Sequence, residues 1–156
     1  MQKVLVTGGL GFIGSNLVKV LKSTGKYDIT VIDNLSSGNK ELLPKNVRVL
    51  KTNVGNQKAI LDNLENQNFD AAIHFAASVV VPESVKNPLK YYTNNTSETI
   101  SFIDTCIKLK IKKFIFSSTA AVYGNPHEKV ITEDINLKPE SPYGMSKLMS
   151  ENILRD

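Results

Sequence analysis

The chain has 156 residues, of which 41% are hydrophobic and 22% are charged, a balance that fits one globular domain and not a disordered, collagen-like or coiled-coil protein. The formal net charge of +4 is too mild an excess to favour a nucleic-acid binder. The chain shows no apolar run long enough for a membrane span or a signal peptide, so we expect a cytoplasmic protein.

Short runs of branched apolar residues recur along the chain, with helical segments between them. The runs show little alternation of polar and apolar residues, which is typical of strands buried on both faces of a parallel sheet. The predicted strands are Lys3–Thr7, Asp28–Asp33, Val47–Lys51, Ala71–Ala76 and Lys113–Ser117. This order of elements predicts the α/β class, with a doubly wound, Rossmann-like parallel sheet.

The segments between the strands carry apolar residues at helical spacing. The predicted helices are Phe12–Ser23, Gln57–Asn66, Thr99–Lys110 and a last helix that starts near residues 141–143. The predicted apolar faces are Ile13, Leu17, Val20 and Leu21 in the first helix, and Ile100, Ile103 and Ile107 in the third. The single cysteine, Cys106, lies among these isoleucines and is expected to be a buried thiol. Residues 118–142 are predicted to be mostly loop.

Glycines are concentrated where the first predicted strand passes into the first helix. Gly9, Gly11 and Gly14 fit the pattern G-x-G-x-x-G, and Gly8 extends it. Such glycines allow a tight turn, approach of the backbone to pyrophosphate and close packing of helix on strand. Asp33 ends the second strand about 20 residues later, where an acid can bind the adenosine ribose and repel a 2′-phosphate. The cofactor is therefore predicted to be NAD and not NADP.

Tyr143 and Lys147 stand one helical turn apart, so their side chains share a helix face. A nearby ammonium and an oxidised nicotinamide favour the phenolate form of tyrosine, which can then act as a general base. The hydroxyl residues 117–119 follow the last predicted strand, at the edge where doubly wound sheets bind ligands. A hydroxyl there can bind the same substrate oxygen that the tyrosine deprotonates.

With these motifs the chain resembles the extended short-chain dehydrogenase/reductase family over its whole length, and within it the nucleotide-sugar 4-epimerase branch. The resemblance is carried by residues 6–15 (VTGGLGFIGS), 33–35 (DNL), 74–77 (HFAA), 91–95 (YYTNN), 114–124 (FIFSSTAAVYG) and 141–147 (SPYGMSK). It implies resident NAD, a UDP-hexose substrate, transient hydride transfer through a 4-keto sugar, and a homodimer. Because family members are about twice as long, it also implies that residues 1–156 form an incomplete NAD-binding domain without the sugar-binding domain.

The resemblance further implies roles for individual residues. The implied cofactor contacts are Gly8, Gly11, Phe12, Ile13 and Gly14; Asp33, Asn34, Leu35, Ser36, Ser37 and Gly38; Asn53 and Val54; Phe75, Ala76, Ala77 and Val79; Asn94, Tyr143 and Lys147. The implied catalytic residues are Thr119, Tyr143 and Lys147. Asn53 departs from the family, which usually has aspartate there, and could instead be a plain turn residue.

Two alternatives to a sugar epimerase stay open at this point. The chain could be a catalytically silent dinucleotide-binding fragment, since most of the implied sugar-binding part is absent. It could also come from a related decarboxylase or reductase that acts on another nucleotide sugar.

Overall fold

Residues 1–127 and 129–156, which the computed structural model describes, form one five-stranded parallel sheet with the order β3-β2-β1-β4-β5. The strands are β1 (Gln2–Thr7), β2 (Tyr27–Asp33), β3 (Arg48–Lys51), β4 (Ala71–His74) and β5 (Phe114–Phe116). The predicted fold class and all five predicted strands are confirmed. Because the chain winds outward from β1 to β3 and then from β4 to β5, the order reverses between β1 and β4, and ligands bind at such a point in doubly wound sheets.

The fourth strand is two residues shorter than predicted, and Thr7 explains the difference. The Phe75 N–H still donates to the Thr7 carbonyl at 3.1 Å. The next N–H, that of Ala76, instead donates to the Thr7 side-chain hydroxyl at 3.3 Å. A side chain has therefore replaced the neighbouring backbone as acceptor, and the regular ladder ends.

Helices pack on the two faces of the sheet and enclose two hydrophobic clusters. Helix α1 (Phe12–Ser23) covers one face; α2 (Gln57–Leu64) and α5 (Glu98–Lys108) contribute to the cluster on the other. Successive strand residues point to opposite faces. The α1 cluster contains Val4, Val6, Leu10, Val18, Ile29, Val31 and Ile73; the other contains Leu5, Ile32, Val54, Ile60, Leu64, Phe69, Ala72, Phe102, Cys106 and Leu109.

The predicted apolar face of α1 is wrong in part. Val18 is fully buried, whereas Ile13 and Val20 are 60% and 61% exposed. The cause is the tight contact at Gly14, where an added Cβ would lie 2.3 Å from the Gly8 carbonyl oxygen. That contact fixes the rotation of the helix about its own axis, so the face that carries Gly14 and Val18 lies against the sheet.

The isoleucine face predicted for the third helix is also wrong. Ile107 is 67% exposed, while Phe102 and Cys106 are buried. The Phe102 ring stacks on the buried His74 imidazole with a centroid distance of 5.2 Å, and this aromatic packing turns Phe102 inward. The predicted burial of Cys106 is confirmed, and desolvation raises the pKa of its thiol to about 12.

The described residues divide into two compact units. The sheet lies in the first, which comprises Met1–Ala76 and Ser101–Ser117; the second comprises Ala77–Ile100 and Ser118–Asp156. Elements of the second unit are α3 (Val81–Lys86), α4 (Pro88–Tyr91), a π-helical turn (Tyr92–Ser97), a 3-10 turn (Ala120–Tyr123) and α6 (Pro142–Arg155). Among residues 1–127 and 129–156, none of the helices has the length and apolar character that crossing a lipid bilayer requires.

The last predicted helix is confirmed as α6, and its start has a local cause. The Ser141 hydroxyl accepts a hydrogen bond from the Gly144 N–H at 3.1 Å, which caps the helix, and Pro142 occupies the first turn. Helices α3 and α4 were not predicted. Each has a proline in its first turn, Pro82 and Pro88. Because proline is common at the start of a helix, these two residues are the sequence signal that could have predicted both helices.

Candidate functional site

The loop between β1 and α1 is packed so tightly that two of its glycines cannot be replaced without displacing backbone. Gly8 has a φ of 65°, and a Cβ there would lie 2.6 Å from the Ala76 nitrogen. Gly14 is equally confined by the Gly8 carbonyl. At Gly11 a Cβ would meet only that carbonyl oxygen, at 3.4 Å. Gly8 and Gly14 therefore serve the fold, and Gly11 is the glycine with open space above it.

The amino end of α1 has the properties of a diphosphate-binding site. Gly11 is the N-cap residue and offers no side-chain hydrogen bond, and the first turn carries no acidic residue. The first N–H groups of the helix and its dipole can therefore bind an anion. Phe12 and Ile13, which are predicted to cover a pyrophosphate, are both exposed on this turn.

Asp33 connects the glycine loop to the loop after β2. Its carboxylate accepts a hydrogen bond from the Leu10 N–H at 3.0 Å and another from the Leu35 N–H at 2.8 Å. Each oxygen of a carboxylate has a further lone pair, so Asp33 can also accept a ribose hydroxyl. The sequence predicted the ribose contact but not these two backbone contacts, which order both loops.

The loop 34–38, predicted to hold the adenosine ribose, is folded onto the glycine loop. A Cβ at Gly38 would lie 2.6 Å from the Leu10 Cβ and 3.1 Å from an Asp33 oxygen. Leu35 adopts a φ of 62°, and the Asn34 side chain accepts from the Ser36 N–H at 2.9 Å. Ser36 and Ser37 are exposed. The loop is thus a defined turn with hydroxyl groups on its open side.

The predicted contacts after β3 and β4 lie in different environments. The Asn53 side chain accepts from the Gly55 N–H at 2.8 Å, as a turn residue does. Val54 is buried in the hydrophobic core, so its predicted cofactor contact would come from its backbone. Phe75 and Ala76 are half-buried after the end of β4. In the second unit Ala77 is half-buried and Val79 is exposed.

A buried asparagine that the sequence analysis missed organises the second unit. The Asn95 amide accepts from the Ser78 N–H at 2.8 Å, donates to the Ser78 carbonyl at 2.9 Å and donates to the Ser146 hydroxyl at 3.1 Å. It therefore ties the π-helical turn to α6 at the residue before Lys147. Asn94 precedes it in the same turn and is half-buried. Such π turns are frequent at functional sites.

The three predicted catalytic residues all lie in the second unit. Tyr143 stands in the first turn of α6, with its ring edge-on to the Tyr91 ring at 6.3 Å. Thr119 caps the 3-10 turn, and its hydroxyl oxygen accepts from the Ala121 N–H at 3.2 Å. A Cβ at Gly144 would lie 2.7 Å from the Ala121 carbonyl. This glycine therefore lets the first turn of α6 pack against the turn that follows Thr119.

Lys147 is one helical turn beyond Tyr143 and is only 3% exposed. Desolvation lowers the pKa of its ammonium from 10.5 to about 8. At neutral pH the group is still mostly protonated, so it can favour a phenolate on the same helix face. The described residues contain no group of three or more His, Cys, Asp or Glu side chains arranged to hold a metal ion.

We expect the free energy of unfolding of Lys147→Met, taken relative to that of the native chain, to fall as pH rises from 8 to 10.5. A pKa lowered from 10.5 to about 8 corresponds to about 3 kcal/mol against the charged form in the folded state. Between pH 8 and 10.5 the unfolded chain binds more protons than the folded chain, so this cost to the native protein disappears as pH rises. Methionine does not titrate, so the native chain should gain stability relative to Lys147→Met across that range.

Urea unfolding of both proteins, followed by circular dichroism at pH 7, 9 and 10.5, would measure this change with pH. Lys112→Met, at an exposed lysine, is the matched control and should show no such change with pH. The interpretation would be wrong if the difference in free energy of unfolding between Lys147→Met and the native chain did not change between pH 7 and 10.5.

The comparisons with known proteins agree with these features. The model of the NAD dependent epimerase/dehydratase family matches residues 4–156. A UDP-glucose 4-epimerase of Azospirillum brasilense is 45% identical over 99% of this chain and 44% of its own length. The structure of the UDP-Glc/GlcNAc 4-epimerase from Campylobacter jejuni is 44% identical, with a TM-score of 0.92 over 100% of this chain and 49% of that one.

A third relative was solved with the predicted cofactor. The UDP-glucose 4-epimerase from Brucella ovis in complex with NAD is 40% identical, with a TM-score of 0.95 over 100% of this chain and 47% of that one. The predicted family and the predicted type of cofactor are confirmed at the level of the family. The chain spans about half the length of the relatives it matches.

Proposed function

Because this chain belongs to the NAD dependent epimerase/dehydratase family, we propose that it binds NAD and that, at the full length of its relatives, it epimerises C4 of a nucleotide sugar. UDP-glucose and UDP-galactose are the proposed substrates. The observation that carries the proposal is the pair Tyr143 and Lys147 on one face of α6, with the lysine desolvated and the turn after Thr119 packed at the start of the helix.

The proposed contacts to the diphosphate and the adenosine ribose come from the first unit. The N–H groups at the start of α1 bind the diphosphate, and the open space at Gly11 lets the diphosphate approach the backbone. The remaining lone pairs of Asp33 accept the adenosine ribose hydroxyls. A 2′-phosphate would stand beside this buried carboxylate and be repelled by it, which favours NAD over NADP.

In the proposed reaction, side chains of the second unit transfer the proton of the sugar 4-hydroxyl. Tyr143, as phenolate, takes the proton from the sugar 4-hydroxyl, and the Lys147 ammonium stabilises the phenolate. The Thr119 hydroxyl donates a hydrogen bond to the same sugar oxygen. NAD, held by the contacts of the first unit, would supply a reversible hydride acceptor for sugar C4, so that the hydride could be regained on the opposite face of the sugar. Tyr143 then returns the proton to the sugar oxygen.

Cofactor binding by the 156-residue chain is the first test. We expect NAD to bind, and NADP to bind at least about tenfold more weakly, because of the charge on Asp33. Calorimetric titration with each dinucleotide would measure both affinities, after denaturation and mass analysis of a sample to detect nucleotide already bound. Equal affinity for NADP would contradict the role of Asp33. Absence of NAD, bound or taken up, would contradict cofactor binding by this chain.

Turnover is the second part of the test. A protein that carries this chain at the full length of the relatives should interconvert UDP-galactose and UDP-glucose without adding a reductant. A product made only with added reductant, or with loss of CO₂ from a uronic-acid sugar, would favour the reductase or the decarboxylase instead. The Campylobacter jejuni relative is named for two sugars, so UDP-N-acetylglucosamine belongs in the same assay.

A second candidate is a dinucleotide-binding fragment without turnover. The chain covers only 44% to 49% of the relatives compared above. Stoichiometric NAD binding by the 156 residues without epimerase activity would identify such a fragment. The predicted homodimer remains part of the proposal, and the exposed Ile100 and Ile107 of α5 support it.

A further inference from the structure

A hydrogen bond joins the segment before Thr119 to the third turn of α6. The Ser118 hydroxyl donates to a carboxylate oxygen of Glu151, 33 residues away in the chain. Both side chains are half-buried and both belong to the second unit. Glu151 lies one helical turn beyond Lys147 and two turns beyond Tyr143, so the three residues share one face of the helix.

From this geometry we propose that Glu151 is a positioning residue, which acts through Ser118 to hold the Thr119 hydroxyl in register with Tyr143. The proposal rests on the function proposed above. In this role Glu151 itself contacts neither the sugar nor the cofactor. A hydrogen bond to an ionised carboxylate is stronger than one between neutral groups, which makes the carboxylate a suitable anchor for a short, irregular segment.

The segment around Thr119 is thereby attached to α6 at two separate turns. At the first turn, Gly144 lies so close to the Ala121 carbonyl that no larger residue fits there. At the third turn, Glu151 holds Ser118. Two attachments on either side of Thr119 fix the direction of this segment relative to the helix, whereas one attachment would allow it to rotate about that point.

The hydrogen bonding of Thr119 explains why its orientation matters. Its oxygen accepts from the Ala121 N–H at 3.2 Å, which leaves the hydroxyl proton to be donated. That proton must point to the oxygen that Tyr143 deprotonates, and small errors in such alignments cost large factors in rate. Loss of the Glu151 attachment should therefore lower kcat and leave the binding of cofactor and sugar unchanged.

The test uses Glu151→Ala, Ser118→Ala and the double variant in the full-length protein. We expect each single change to lower kcat about tenfold, with KM for UDP-galactose, NAD content and melting temperature close to native. The double variant should be no slower than the slower single variant, because both changes remove the same attachment. Glu151→Gln keeps an acceptor oxygen and should restore most of the rate.

Asn152→Ala is the matched control, since Asn152 is an exposed neighbour on the same helix. The proposal is overturned if Glu151→Ala keeps a kcat within twofold of native, or if the losses from Ser118→Ala and Glu151→Ala multiply in the double variant. A native protein that does not epimerise any nucleotide sugar would instead overturn the proposed function, and this role with it.

Discussion

If the proposed function holds, Tyr143→Phe is expected to lower the epimerase kcat of a protein that carries this chain at the full length of its relatives by about 10³-fold, the range over which a general base contributes. Phenylalanine keeps the ring, so the edge-on contact with Tyr91 at 6.3 Å and the fold of α6 are retained. Only the phenolic oxygen, which we propose takes the sugar proton, is removed. The binding of NAD should change little, because the proposed diphosphate and ribose contacts belong to the first unit.

The rate is measured by coupled assay of UDP-glucose formed from UDP-galactose, and NAD content by mass analysis of the same samples. Tyr27→Phe makes the same chemical change at the start of β2, at the opposite end of that strand from Asp33, and should leave kcat unchanged. Near-native turnover by Tyr143→Phe would rule out this residue as the base. Loss of NAD together with activity would point instead to the implied cofactor contact of Tyr143, and an accompanying fall in melting temperature to a structural role.

The parts of the fold that the sequence predicted well are those specified by neighbouring residues. Each strand is a nearly continuous apolar run, and such runs need no distant partner to be recognised. The glycine loop is similar, because its spacing and its place between strand and helix occur within a few residues. The start of α6 also has its signal locally, in the Ser141 cap and Pro142.

The wrong predictions concern the buried faces of two helices, which are determined by residues distant in the sequence. Apolar spacing in α1 and α5 allowed more than one buried face, and spacing alone could not select between them. In α1 the close contact of Gly14 with Gly8 determines which face is buried. In α5 the partner is the His74 ring, which stacks on Phe102 from an earlier strand. Neither pairing has a signature in the local sequence.

The same reason explains which site residues were missed. Asn95 and Glu151 act through partners 51 and 33 residues away, Ser146 and Ser118, so neither forms a motif of its own. Asp33 was predicted as a ribose contact, but its bonds to backbone N–H groups depend on how two loops fold. Sequence motifs therefore suggest candidate ligand contacts, whereas residues that hold those candidates in place have no motif of their own.

Gly11→Ala and Gly14→Ala are expected to separate cofactor binding from folding within one loop. A methyl group at Gly11 meets protein only at 3.4 Å, so the fold should tolerate it. The methyl would occupy the space through which a diphosphate approaches the backbone. Hydrogen bonds to a charged group contribute about 1.5 to 3 kcal/mol, and we therefore expect NAD to bind about 10- to 100-fold more weakly.

Gly14→Ala is expected to destabilise the fold. Its methyl would lie 2.3 Å from the Gly8 oxygen and 2.8 Å from the Gly9 Cα, and these are backbone atoms that cannot rotate away as side chains do. Overpacking of this kind costs about 1 to 3 kcal/mol or more, so the free energy of unfolding of the 156-residue chain should fall by at least that amount. Urea unfolding and NAD titration of both variants measure the two effects.

The two variants should thus give opposite patterns, with Gly11→Ala stable and weak in NAD binding, and Gly14→Ala unstable. If Gly11→Ala bound NAD as tightly as the native chain, the diphosphate would not lie over this glycine. If both variants were equally destabilised, the open space at Gly11 would be a property of packing alone. The expected result would show that Gly11 is needed for NAD binding and that Gly14 is needed for the contact between α1 and the glycine loop.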